Sequence, residues 1–282
     1  KGDGRGRCDF GGRRPEYVAA RILYPQTGDG AVGVPYVPPG DASRTLRLTM
    51  EISAPAPLNR CWWVLYYWKF ITFQASRDAP ILDPKAEGRE RGWPLIIYSH
   101  GLTGSPMIYT KVATELASRG FVVVQVHHSD GSSCLAPLQD GTSVAWDKTP
   151  VRLWNEGKTV QSVQYRRAQT EFRAKEIVAT LHALHDLGGG AASFLEGNIE
   201  LASRDGMSRV VLMGHSFGGA TALTVAVHCP TACGCVVTHE TAFDWATDRT
   251  RAAVLDKGRM VRSGGGIEYC GGTGGFEANN GG

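Results

Sequence analysis

The sequence predicts an α/β fold with a mainly parallel central sheet flanked by helices, and three observations carry that prediction. Short apolar, β-branched runs alternate along the chain with segments of helical period. Two of these runs, PLIIYSH at 94–100 and FVVVQVHH at 121–128, bracket a segment with helix start and stop signals. Such a strand–helix–strand unit implies a parallel pair joined by a right-handed crossover. A third run, VVLM, leads straight into Gly214-His215-Ser216-Phe217-Gly218 and on into GATALTVAV. That is a strand, a sharp turn with serine at its apex, and a helix.

The elements follow in order. Tyr17 to Pro25 reads as a strand and Leu46 to Ala54 as a second, with a loop rich in Gly and Pro between them. After the strand at 94–100, Ser105-Pro106 supplies an N-cap and a proline at the first helical position. The helix should run to about Ser118, where Gly120 ends it before the next strand. Residues 129–158 lack a clear period and read as a long surface loop. Gln161 to Leu187 is a long helix, with Val163, Ala168, Phe172, Ile177, Leu181 and Leu184 on its apolar face. Arg166, Arg167, Lys175 and Glu176 lie between them, and Gly188-Gly189-Gly190 breaks the helix. Gly234 to His239 is the strand after the serine turn. One domain over residues 1–255 is therefore expected, followed at 256–282 by a Gly-rich tail without a core strand, disordered or poorly packed.

Composition excludes several classes. The chain has 282 residues, 42% of them hydrophobic, enough for one large buried core. No stretch is apolar for long enough to predict a transmembrane helix. A net charge of +3 is too mild to argue for nucleic acid, and no nucleic-acid-binding motif, Walker loop or H-E-x-x-H is present. The chain starts at Lys1 and shows no secretory signal, which leaves the compartment open. Seven cysteines are too few for a disulfide scaffold. Cys229, Cys233 and Cys235 cluster without a fourth ligand at zinc-like spacing, so they read as small apolar residues in and beside a buried strand.

The chemistry centres on Ser216. Small residues on both sides of the turn let it close tightly, which lifts the hydroxyl clear of the sheet. A serine hydroxyl becomes a competent nucleophile only when a base takes its proton and donors hold the oxyanion. The Phe217 N–H is one donor, placed by the turn itself. The Leu102 N–H, in the loop directly after PLIIYSH, is the candidate for the second. His100, at the end of that strand, reads as structural, packed under the loop.

In combination these segments resemble the platelet-activating factor acetylhydrolase family, in its lipoprotein-associated and cytosolic type II forms (group VII phospholipase A2). GHSFGGAT at 214–221 is similar to the family's serine elbow, PLIIYSHGL at 94–102 to its oxyanion segment, and LASRGFVVVQVHHSDGSS at 116–133 to the strand after it. RILYPQTGDGAVGVPYVPP at 21–39 is similar to its N-terminal strand and Pro-rich loop. The resemblance covers roughly residues 7–250. It implies an α/β-hydrolase fold, a Ser-Asp-His triad, and calcium-independent hydrolysis of short or oxidised sn-2 acyl chains of phospholipids. It also implies that Leu102 and Phe217 form the oxyanion hole. No metal or organic cofactor is needed, and the expected partner is a phospholipid substrate, not nucleic acid.

The resemblance puts the triad acid a little over twenty residues after the serine, at Glu240, where the family carries Asp; Asp244 is the runner-up. The triad order in this fold is Ser, acid, His, and no histidine follows His239. His228, three turns into the helix after Ser216, should point away from the turn, and His239 should leave its strand on the face opposite Glu240. The chain therefore reads as incomplete at its C-terminus, with the last strands missing, a sheet edge uncovered, and little activity when expressed alone. CWWVLYYWKFITF at 61–73 carries seven aromatics. One reading is interfacial contact with a membrane or lipoprotein; the other is a core helix packed on the sheet. Two further functional alternatives stand: a lipid-binding pseudo-hydrolase without a base, and another serine carboxylesterase of the same fold.

Overall fold

The computed structural model describes residues 10, 15–27, 33–37, 42–186, 193–201, 208–255 and 268–271. In chain order its strands are β1 (Ala20–Leu23), β2 (Val34–Pro35), β3 (Thr72–Phe73), β4 (Trp93–Ser99), β5 (Val122–Val126), β6 (Leu135–Pro137), β7 (Ser143–Ala145), β8 (Ile199–Glu200), β9 (Val211–His215), β10 (Cys235–His239) and β11 (Glu268–Gly271). Its α-helices are α1 (Ala42–Ser53), α2 (Thr110–Ser118), α3 (Thr149–Asn155), α4 (Thr159–His185), α5 (Phe217–His228) and α6 (Asp248–Leu255).

The main sheet runs β1-β5-β4-β9-β10-β11, with β8 also paired to β4. All pairs are parallel except β1 with β5. The β-branched runs explain its centre. Every residue of Val122–Val126 is buried, because a parallel strand is covered on both faces and needs no polar side. Alternate residues serve opposite layers. Leu95, Ile97, Val122, Val124, Leu212 and Val236 pack under Ile177, Leu181 and Leu184 of α4 and Leu223 and Val225 of α5. Ile96, Tyr98 and Val123 pack under Ala113 and Ala117 of α2. Full burial of each such aliphatic stabilises the fold by about 1.5–3 kcal/mol.

Four expectations are corrected. Leu46 to Ala54 is not a strand but most of α1. Its alternation, LRLTMEIS, mimics a strand, yet burial of Ala42, Thr45 and Leu46 against Val37, Met107, Trp62, Leu65 and Trp68 selects the helix. Residues 129–158 are not a featureless loop. They hold the β6–β7 hairpin and α3, and Ser132 to Ala136 are buried. Cys229 is more than a small apolar filler: it is buried at the end of α5 and disulfide-bonded. Lastly, the outer edge of β10 is not uncovered, for β11 in the Gly-rich tail pairs with it in parallel, Cys235 opposite Glu268. The remainder of 256–282, like Gly188-Gly189-Gly190, lies outside the described residues.

Candidate active site

Ser216 stands between β9 and α5 with φ +53°, a left-handed backbone that a non-glycine residue adopts only under constraint. The constraint is visible on both sides. The Ser216 N–H donates to the His239 carbonyl at 2.8 Å, and the Ser216 carbonyl accepts from Gly219 at 3.0 Å and Ala242 at 3.0 Å. A Cβ on Gly214 would fall well inside contact with the Gly218 carbonyl, and one on Gly218 well inside contact with that of Ser99. Glycine at both positions is therefore what lets the elbow close.

The two expected oxyanion donors come from separate elements. Phe217 is the first residue of α5, so its N–H has no partner within the helix. The Leu102 N–H also has no hydrogen-bond partner among the described residues. Both neighbouring peptides are held. The Gly101 N–H donates to the Tyr109 hydroxyl at 3.0 Å, and the Gly101 carbonyl accepts from the Gly104 N–H at 3.1 Å. Leu102 packs beside the cluster of Phe217, Ala220 and Ala246, so the two donor segments are adjacent.

Under this loop lies a buried polar network. His100 is 1% exposed, with Nδ1 2.8 Å from the Gly101 carbonyl and Nε2 3.0 Å from Ser133 Oγ. Arg173, from α4, is fully buried and donates through Nη2 to the His100 carbonyl at 2.6 Å. His128 joins Ser99 Oγ at 2.9 Å to Glu176 Oε2 at 2.7 Å, and Ser129 donates to the other oxygen of Glu176 from its N–H and its hydroxyl. Burial pushes the Glu176 carboxyl up to about 8 and holds the His100 and His128 rings well below the usual histidine range. Burial also pulls the Arg173 guanidinium down to about 10.

The structure places Glu240 at the end of β10, with φ +48° and its side chain largely exposed. Its carboxylate lies 3.5 Å from Nε2 of His215, the residue before the serine. His215 Nδ1 is 2.8 Å from the Tyr109 hydroxyl. Both nitrogens of His215 thus have partners other than Ser216. His228 sits at the far end of α5, 3.2 Å from Thr247 Oγ1 and stacked on Phe10. The His239 ring lies beside His215, centroids 5.3 Å apart. The runner-up acid, Asp244, is in a one-turn helix with Arg251 Nη2 3.8 Å from its carboxylate. No described histidine hydrogen-bonds the Ser216 hydroxyl. Sequence reasoning missed Tyr109, His215 and Arg173. His215 was legible as the residue flanking the serine, whereas Tyr109 and Arg173 reach the site only through the tertiary fold.

The aromatic stretch forms a 3₁₀ run, Trp62–Phe70, that packs on α1 rather than on the sheet. Trp62, Leu65 and Trp68 face inward, while Trp63 is 65% and Phe70 75% exposed, with Tyr66 and Tyr67 beside them. A separate cleft of about 1050 Å³ runs along the outer side of β1, lined by Arg21, Arg77 and Phe194 among others, away from Ser216.

A serine elbow on a mainly parallel sheet, faced by the loop after an inner strand, defines an α/β-hydrolase. A ferulic acid esterase from Streptomyces cinnamoneus shares the fold, with a TM-score of 0.50 and 19% identity over 78% of this chain and 50% of that one. The family model for platelet-activating factor acetylhydrolase, isoform II, matches residues 61–243, and the chain belongs to that family. The platelet-activating factor acetylhydrolase of Canis lupus familiaris is 31% identical over 216 residues, 72% of this chain and 45% of that protein. The corresponding protein of Bos taurus is 32% identical over 144 residues, 46% of this chain and 31% of its own length. A putative phospholipase A2 of Schizosaccharomyces pombe is 26% identical over 150 residues, 45% of this chain and 33% of its own length. The chain thus spans less than half the length of these curated relatives.

Proposed function

We propose that the chain carries the nucleophile and oxyanion half of a phospholipid esterase that removes short or oxidised sn-2 acyl groups. In this reading Ser216 Oγ attacks the sn-2 carbonyl carbon and the N–H groups of Leu102 and Phe217 receive the oxyanion. The lysophospholipid leaves as its alcohol, and water then releases the acyl group from the serine. Glu240 is the acid of the site and acts through a histidine. The single observation that supports the reading best is the strained Ser216, with the Leu102 and Phe217 N–H groups left without a hydrogen-bond partner among the described residues. Family membership supports the substrate class. The exposed face of Trp63, Tyr66, Tyr67 and Phe70 supports contact with a lipid surface, since these rings favour the water–lipid boundary.

The test is acyl release from two phosphocholines that differ only at sn-2, one acetyl and one long-chain. Acetate should be released above the background set by Ser216→Ala, and the long-chain acid should not. Equal release by the wild type and Ser216→Ala would sink the proposal. Release of the long chain at a matching rate would remove its substrate half. The lack of a described histidine partner for the Ser216 hydroxyl also favours one second reading, a lipid-binding pseudo-hydrolase. It predicts vesicle binding with no acyl-serine formed.

A further inference from the structure

We infer that Arg173 is a positioning residue that sets the aim of the Leu102 N–H by clamping the two oxyanion segments together. The inference rests on the assignment of Ser216 as nucleophile and of Leu102 and Phe217 as donors. Arg173 stands in the middle of α4, is 0% exposed, and reaches both segments. Its Nη2 donates to the His100 carbonyl at 2.6 Å, and its Cζ lies 4.6 Å from the centre of the Phe217 ring.

The geometry fixes two successive peptide planes. The His100 carbonyl and the Gly101 N–H belong to one peptide; Arg173 holds the carbonyl end and the Tyr109 hydroxyl the N–H end. The Gly101 carbonyl and the Leu102 N–H belong to the next; Gly104 holds the carbonyl end and the N–H is left unpaired. A peptide is planar, so fixing one end fixes the direction of the other. Arg173 joins the first of these planes to the ring of Phe217, the residue after the nucleophile, and Leu102 packs on the same ring's cluster.

Burying a guanidinium carries a large desolvation cost unless its contacts repay it. Here Nε and Nη1 have no partner among the described residues, so the head is hydrogen-bonded through Nη2 alone, to His100. The nearby Asp130 offsets part of the cost. A planar fork that hydrogen-bonds a carbonyl while stacking on a ring is a task that Lys cannot reproduce.

The experiment compares wild type with Arg173→Lys and Arg173→Gln in two readouts per folded molecule. One is the second-order rate of serine labelling by a fluorophosphonate, whose addition places negative charge where the oxyanion forms. The other is amide exchange, read by mass spectrometry, of peptides covering 100–104. Labelling should slow about 10²-fold, as expected for a donor misplaced by ~1 Å. Exchange should quicken at 100–104 and stay unchanged in peptides from β4 and β5. Arg173→Lys keeps charge and stem, so it carries the test if Arg173→Gln does not fold. Unchanged labelling per folded molecule overturns the inference, as does faster exchange spread evenly over the core. If the wild type does not label, the nucleophile assignment fails, and loop exchange alone decides whether Arg173 positions 100–104.

Discussion

At the scale of single residues, the site is an exercise in excluded volume. Ser216 holds a φ of +53° because Gly214 and Gly218 leave room for the turn and because the Ser216 N–H and carbonyl are both bonded. Gly218→Ala would drive a methyl into the Ser99 carbonyl, which is backbone and cannot step aside. A loss of about 3 kcal/mol or more is expected, larger than for an ordinary overpacked core site. Denaturant unfolding checks it, and a loss under about 1 kcal/mol would show that the elbow relaxes more freely than described. The turn serine and its small neighbours were legible in the sequence because a tight strand-to-helix turn requires small residues at adjacent positions. Tyr109 and Arg173 were not, because nothing local marks a tyrosine 106 residues before His215 as its partner.

At the scale of elements, period and polarity were read well where each side of an element meets one environment, and badly where it does not. β4, β5, β9 and β10 lie where their apolar runs predict. α1 was read as a strand because its alternation suits a sheet, and only the packing of Trp62, Leu65 and Trp68 decides for the helix. α4 kept its length, and Ile177, Leu181 and Leu184 are buried as expected, but the buried face was read without its polar part. Arg166, Arg173 and Glu176 are buried, whereas Phe172 is exposed. A buried polar stripe has the same period as an exposed one, and its partners, His100, His128 and Ser129, lie far away in sequence. The 3₁₀ run splits its aromatics between an inner and an outer face. Trp63→Ser with Phe70→Ser should therefore leave the Tm within ~2 °C while lowering partition onto phosphatidylcholine vesicles by about 10-fold or more, from lost apolar burial. Vesicle co-sedimentation checks it. Unchanged partition would remove the lipid-surface role from this face.

At the scale of the whole molecule, the buried network makes stability depend on pH in a definite way. Burial raises the Glu176 carboxyl from 4.5 to about 8, so the folded protein holds a proton that the unfolded chain releases over that range. Its stabilising effect is complete below pH 4.5 and is lost as pH rises toward 8, by up to ~1.4 kcal/mol per pH unit. The histidines act in the opposite sense. Burial lowers His127 to about 4 and holds His100 and His128 well below 6.5, so unfolding takes up protons and stability falls as pH drops below 6.5. Three histidines outweigh the raised carboxyls Glu176 and Asp130 on the acid side, and among the described residues it is these buried carboxyls that act between 6.5 and 8. The Tm should peak near pH 6.5 and decline toward 8. Glu176→Gln should flatten the decline between 6.5 and 8 and keep the acid limb. An alkaline limb of the same slope in Glu176→Gln would refute this assignment.

The central claim, that Ser216 is a poised nucleophile and not merely a strained turn, has a direct test. The chain is exposed briefly to a fluorophosphonate, and the adduct is located by intact mass and peptide mapping. The account predicts one adduct, on Ser216, absent in Ser216→Ala and slowed when Phe217 is replaced by Pro, which removes one N–H donor. An adduct on another residue, or none on a correctly folded chain, would contradict it.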